Sequence, residues 1–190
     1  HLGVHTELYT TGMMKLTKAG VIDNSRKTLH KGSAVTTMII GTRELYDFVD
    51  DNPGIMVMNG MYTNDAYVIG QNDNQISINT TLEVDLTGQC CSESLGSVQF
   101  SGSGGQADTA IGAQKRKILH ALYSTAMAKN PDGTRTEVSK IVPQLKPGAT
   151  VTLSRNDVQY VVTEYGVADL RGTSIRERVE KLIADSHPKF

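Results

Sequence analysis

The chain has no tryptophan, and aromatic residues make up only 5% of its 190 positions. A core must therefore rest on Val, Ile, Leu, Met and Ala. An excess of one charge is also missing: 19 Lys and Arg face 20 Asp and Glu, for a net charge of −1. That balance excludes the broad electrostatic footprint of a nucleic-acid-binding protein or of one that lies on a membrane surface. The one compact basic cluster, "KRK" at 115–117, reads as a solvated face, with a phosphate contact as the alternative. Only two cysteines are present, the adjacent Cys90 and Cys91. Vicinal cysteines rarely bridge each other, because a disulfide usually holds its Cα atoms further apart than one peptide step. With neither a disulfide framework nor metal-type spacing, a reducing cytoplasm is the expected location. No apolar run approaches the ~18 residues that a membrane span needs, and no signal-peptide pattern is visible.

What the chain does contain is a folded-protein composition, 38% hydrophobic and 21% charged, at a length sufficient for one domain with a sizeable core. Its 18 glycines imply many turns and close backbone approaches. It begins with His1 and enters a motif at once, which leads us to expect a piece of a larger protein.

Helical and strand patterns alternate. "TGMMKLTKAGVI" carries Met13, Leu16 and Ala19 at helical spacing, with Gly20 where a helix C-terminal glycine belongs. "SAVTTMIIG" (33–41) is β-branched and mostly apolar, the pattern of one buried strand. In 42–54, Thr42 is placed to cap a helix with Leu45, Phe48 and Val49 on its inner face and Pro53 just past its end. "IMVMN" and "ISINTTLEVDLTG" read as strands, the second with Ile76, Ile78, Leu82, Val84 and Leu86 alternating with polar residues. Met56, Met58 and Met61 read as core. "ADTAIGAQKRKILHALYSTAM" fits either a short helix and a strand or one long helix. "TEVSKIVPQL" and "VQYVVTEYG" alternate as strands. A final helix is announced by the Ser174–Glu177 capping box and a stripe of Ile175, Val179, Leu182 and Ile183. The expected fold is α/β, a mixed sheet flanked by helices.

"SGSGGQAD" (101–108) sets three glycines, Gly102, Gly104 and Gly105, after an apparent strand at 97–100. Exposed N–H groups at such a junction form a small anion nest. A phosphate, a carboxylate or the oxyanion of an acyl-transfer intermediate would each fit it. The spacing is neither a P-loop nor the dinucleotide fingerprint, and a plain tight turn accounts for it equally. Near the start, "GVHTEL" (3–8) holds Glu7 beside His5 and Thr6. Alone it is a surface acid, yet a carboxylate ionised at neutral pH is also a competent nucleophile without a base. His5, His30 and His120 are too scattered for a metal site, and none is expected.

Taken together, "LGVHTEL", "VDDNPG", "ISINTTLEVDLTGQ", "GSGGQAD", the long run through "VTEYGVADLRG" to "EKLI", and the terminal "HPKF" resemble the C-terminal half of the acetyl-CoA hydrolase/transferase family. The nearest branch is that of the 4-hydroxybutyrate and butyryl-CoA:acetate CoA-transferases. The resemblance implies a CoA-transferase domain of the NagB/RpiA-like kind over 1–190, whose N-terminal partner domain in the same protein is absent from this chain. In the family the active site lies in the cleft between those two domains. Acyl-CoA, hence coenzyme A, and a small carboxylate are then the substrates, and a homo-oligomer is expected.

By the same resemblance Glu7 is the nucleophile, and Gly105, beside Gly104, donates its N–H to the oxyanion. Losing one such donor costs roughly 3–4 kcal/mol in the barrier. Gln106 and Asp108 complete the G-G-Q-x-D pattern and orient either the loop or the acyl group. Gly102, Asn52 and Asn79 fall in segments that line the site in relatives. Glu164, Tyr165 and Arg171 are expected to lock the last strand to the final helix. Hydrolysis of the acyl-enzyme by water is the alternative activity, and a non-catalytic CoA-binding module is the alternative of another class.

Overall fold

A computed structural model describes residues 1–190. The chain divides into two compact units, one formed by residues 1–75 with 111–115, the other by 76–110 with 116–190.

The first unit runs β1 (Leu8–Thr10), α1 (Thr11–Lys18), β2 (Ala34–Thr36), β3 (Met38–Ile40), α2 (Arg43–Val49), β4 (Ile55–Val57), α3 (Gly60–Thr63) and α4 (Ala66–Gly70). Two parallel pairs, β1 with β3 and β2 with β4, make its sheets. The apolar segment 33–41 is thus not one buried strand. It breaks at Thr37, because the N–H groups of Thr37 and Met38 both turn to the carbonyl of Glu7. β2 is buried throughout, whereas Met38 and Ile40 of β3 remain 43% and 61% exposed. The core packs Val4, Tyr9, Met14, Ile22, Ala34, Leu45 and Ile55. Helix α1 turns Met14 inward rather than Leu16 and Ala19, which stay exposed. Gly20 follows it with φ +72°, the left-handed conformation that ends a helix. Leu45, Phe48 and Val49 of α2 face the core as expected, but Thr42 caps without a side-chain bond. Met61 is 87% exposed, against the reading of the three methionines as core.

The second unit contains β5 (Ile76–Thr80), β6 (Glu83–Asp85), β7 (Cys90–Cys91), β8 (Ser94–Leu95), β9 (Val98–Gln99), the first five residues of α5 (Gln106–Gly112), β10 (Lys117–Ala121), β11 (Thr125–Lys129), β12 (Arg135–Ser139), β13 (Ile141–Val142), β14 (Tyr160–Val162), β15 (Val167–Asp169) and α6 (Ile175–Ala184). Its main sheet has the order β15-β14-β10-β5, parallel except for β15. The choice left open after the glycine loop resolves as a short helix followed by a strand. The alternation in "ISINT" is real, but its faces are reversed. Ser77 is buried, while Ile76 and Ile78 are 51% and 71% exposed. The capping box of α6 forms with both of its bonds, and Leu182 is the buried member of its stripe, with Ile175 and Ile183 exposed. Cys90 and Cys91 are free and buried, and burial pushes the Cys90 thiol up to about 12. The three residues of "KRK" are exposed. No helix is long and apolar enough to cross a membrane.

Candidate active site

Glu7 sits at the bend that leads into β1, half-buried. Its backbone is fixed by its own carbonyl, which accepts from the N–H of Thr37 (3.1 Å) and of Met38 (2.8 Å) and shares the single hydroxyl proton of Thr36 with the Met38 carbonyl (3.0 Å to each). Its carboxylate is fixed by Asn64, whose Nδ2 donates to Oε2 at 2.6 Å. Asn64 is the C-cap of α3. One residue earlier, Thr63 accepts from His5, whose Nε2 lies 2.8 Å from the carbonyl oxygen. A carbonyl only accepts, so Nε2 carries the proton. Burial lowers the His5 pKa, with Lys27 and His30 adding to the effect against the bond to Thr63, so the ring is neutral at pH 7. His5 and Glu7 alternate along extended backbone, and each meets one residue of the α3–α4 junction. Lys27, half-buried nearby, donates to the carbonyls of Val4 and Ser33 (2.8 and 2.7 Å), and its loss of solvent draws its pKa down to about 8.

Asn64 was not among the residues singled out from sequence. Its only local signal is the "TND" step between two short helices, where Asp65 caps α4. Such a step suggests a turn and gives no hint of a reach across 57 positions to Glu7. Asn52 also lies in this unit, just past α2. Its Nδ2 donates to the Phe48 carbonyl (3.0 Å) and its Oδ1 accepts from the Gly54 N–H (2.9 Å), so both of its polar atoms serve its own turn.

In the second unit, Gly102, Gly104, Gly105, Gln106 and Asp108 form one loop and the first turn of α5. Gly102 is exposed, and a Cβ placed there would meet nothing within 4 Å. Gly104 has φ +56°, where an L side chain is strained. Gly105 is buried and its carbonyl accepts from the Thr109 N–H at 2.9 Å. The side chain of Gln106 is buried with its Nε2 unpartnered, and Asp108 is half-buried in the first turn. Asn79 joins this group through Thr109, to which its Nδ2 donates at 3.0 Å.

A cavity of about 560 Å³ opens in the same unit, bounded by Thr80, Ala121 and Val162. These are the last residues of β5, β10 and β14, and open α/β sheets bind ligands outside the carboxyl ends of their strands. Its charged walls are Lys140 and Glu164. Burial lowers the Lys140 amine. Glu164 accepts from the Ser124 hydroxyl (2.7 Å) and N–H (2.9 Å), and those bonds hold its carboxyl low. Glu164 therefore holds Ser124 and does not lock the last strand to the final helix. Ties to the final helix come instead from the neighbouring Thr163, whose hydroxyl donates to the Asp185 carbonyl at 2.7 Å, and from Lys181 of α6, whose Nζ donates to the Asp169 carbonyl at the end of β15 at 2.6 Å.

Comparison with known proteins narrows what these features can serve. Residues 41–190 match the model of the acetyl-CoA hydrolase/transferase C-terminal domain. The chain is 49% identical to a 4-hydroxybutyrate coenzyme A transferase of Clostridium kluyveri, over 100% of this chain and 43% of that protein. It is 51% identical to a succinyl-CoA:cyclohexane-1-carboxylate CoA transferase of Geobacter metallireducens, over 100% of this chain and 42% of that protein. Among solved structures, RipA from Yersinia pestis superimposes with a TM-score of 0.88 at 42% identity, covering 100% of this chain and 42% of its own. The chain thus spans about two fifths of the length of these relatives. On the family match and these identities, the chain belongs to the acetyl-CoA hydrolase/transferase family.

Proposed function

We propose that the protein carrying this chain is a CoA-transferase that moves CoA from a short-chain acyl-CoA, such as butyryl- or 4-hydroxybutyryl-CoA, to acetate or a similar carboxylate, with Glu7 as nucleophile. A carboxylate oxygen of Glu7 attacks the thioester carbonyl carbon. The C–S bond breaks, CoA leaves as thiolate, and an acyl-glutamyl anhydride remains. The thiolate then attacks the glutamyl carbonyl and expels the first acid, leaving CoA on Glu7 as a thioester. A second carboxylate runs the two steps in reverse. No proton is consumed, the thioester is conserved, and the kinetics are ping-pong. Each tetrahedral intermediate carries an oxyanion, for which the Gly105 N–H is the donor.

The observation that carries this reading is the Glu7 carboxylate itself: half-buried, on pinned backbone, with Oε2 on Asn64. One oxygen is held and the other, Oε1, is left for attack. His5 beside it is neutral at pH 7 and offers no acid to quench it. Identities of 49% and 51% to two proteins named as CoA transferases favour transfer over hydrolysis. The remaining length of the protein, an N-terminal domain in this account, completes the grip on CoA. A cytoplasmic homo-oligomer is the assembly we expect.

The test is isotopic. Full-length protein given butyryl-CoA and labelled acetate should place the label in acetyl-CoA, and Glu7→Gln should abolish that transfer while CoA still binds. Free CoA released without label in the thioester pool would make the protein a hydrolase. Transfer that survives Glu7→Gln would remove the nucleophile.

A further inference from the structure

Asn79, expected to line the site, has its side-chain nitrogen taken up within the fold. An Asn amide nitrogen only donates. The two protons on Nδ2 go to Ser77 Oγ (2.9 Å) and Thr109 Oγ1 (3.0 Å). Thr109 Oγ1 has one proton, and it goes to the Gln106 carbonyl at 3.2 Å. In the remaining contact, Ser77 Oγ to Thr109 Oγ1 at 3.3 Å, Ser77 must therefore donate. Every direction in the set follows, and each hydroxyl proton and each Nδ2 proton is used once. Thr109 also binds Gly105 through its backbone N–H. One residue thus holds the carbonyls of Gly105 and Gln106, the two that follow the left-handed turn at Gly104.

The reversed alternation of β5 makes this possible. Ser77 and Asn79 lie on one face of the strand, in register with Ile118 and His120 of β10. Paired residues share a sheet face, and both β10 residues are fully buried. Val161 of β14 follows in register beyond His120 and is also fully buried. Shielded on that side, the bonds act in a low dielectric, where hydrogen bonds are stronger and geometry is more tightly held.

We propose that Asn79 is a positioning residue, and that with Ser77 and Thr109 it forms a strut from β5 to the first turn of α5 that sets the Gly104–Gly105 peptide for oxyanion donation. The inference rests on the reading of Gly105 given above. It separates Asn79 from the substrate-contacting residues and adds two residues that touch neither acyl-CoA nor carboxylate.

The experiment uses full-length protein with Thr109→Val, Asn79→Ala and the conservative Thr109→Ser. A misplacement of about 1 Å costs on the order of 10²-fold in rate. Thr109→Val and Asn79→Ala should therefore lower kcat by about 10- to 100-fold, with KM for acyl-CoA changed less than about threefold. Thr109→Ser should restore most of kcat. Hydrogen exchange should quicken at the amides of residues 105–110 in the first two variants and stay unchanged elsewhere in the unit. Unchanged kcat in Thr109→Val, with exchange quickened, overturns the positioning role and leaves the transferase reading standing. A raised KM for acyl-CoA in Asn79→Ala, with kcat and exchange unchanged, returns Asn79 to substrate contact. Wild-type protein without any transfer activity overturns the transferase reading, and the strut's role with it.

Discussion

Glu7, the proposed nucleophile, is held by groups to which the proposed mechanism gives no chemical step. Its carbonyl takes the N–H groups of Thr37 and Met38 and shares the Thr36 hydroxyl, and its carboxylate takes one donor from Asn64. A hydrogen bond to a charged group contributes about 1.5–3 kcal/mol. Asn64→Ala should therefore lower kcat roughly 10- to 100-fold while the protein still folds, which steady-state kinetics and a urea titration would check together. The glycines divide in the same way. Gly104→Ala places a side chain at φ +56° and should cost about 1–2 kcal/mol. Gly102→Ala meets open space and should change stability by less than about 0.5 kcal/mol. If Gly102→Ala nevertheless raises KM for acyl-CoA, substrate approaches that backbone. Unchanged KM would confine the functional glycines to Gly104 and Gly105.

At the scale of elements, periodicity was legible and facing was not. The period-2 signal in residues 76–80 marks a strand, yet the apolar Ile76 and Ile78 point away from the buried face that Ser77 and Asn79 occupy. Sequence patterns assume that the polar side faces water, and here the polar side meets α5, where Thr109 satisfies it. The contrast is measurable in the 190-residue chain. Ile118→Ala, at a fully buried position, should cost about 2–5 kcal/mol, whereas Ile78→Ala, at a position 71% exposed, should cost far less. Equal losses would mean that the faces of β5 have been assigned wrongly. Segment 33–41 failed for another reason: its break depends on the Glu7 carbonyl, 30 residues upstream of Thr37, and no local pattern contains that. Helix ends did better. The capping box at Ser174 and the glycine after α1 are local chemistry, and both formed. Of the candidate site, Glu7 and the glycine loop are named by motif resemblance alone. Asn64, Ser77 and Thr109 are not, since each acts through a partner distant in sequence.

For the molecule as a whole, the buried imidazole of His120 ties stability to pH. Burial draws its pKa down from 6.5 to about 4, and neither ring nitrogen has a hydrogen-bond partner. Between those values the unfolded chain binds a proton that the folded chain does not, so stability rises with pH across this window. Acidification from pH 7 should thus remove stability progressively through pH 6.5 to 4, by about 3 kcal/mol at most from this residue. Urea midpoints across that range, compared with those of His120→Leu, would isolate the effect: the variant should lose this part of the slope. An identical slope in both proteins would show that the ring titrates freely.

The central claim is that Glu7 forms a covalent bond to the substrate. Full-length protein should be incubated with butyryl-CoA, trapped with borohydride or hydroxylamine, and digested for peptide mapping by mass spectrometry. The account predicts a modified Glu7 in the "GVHTEL" peptide, dependent on acyl-CoA and absent from Glu7→Gln. An unmodified peptide under conditions where acyl-CoA turns over would contradict it, leaving Glu7 a surface acid and the glycine loop a holder of phosphate.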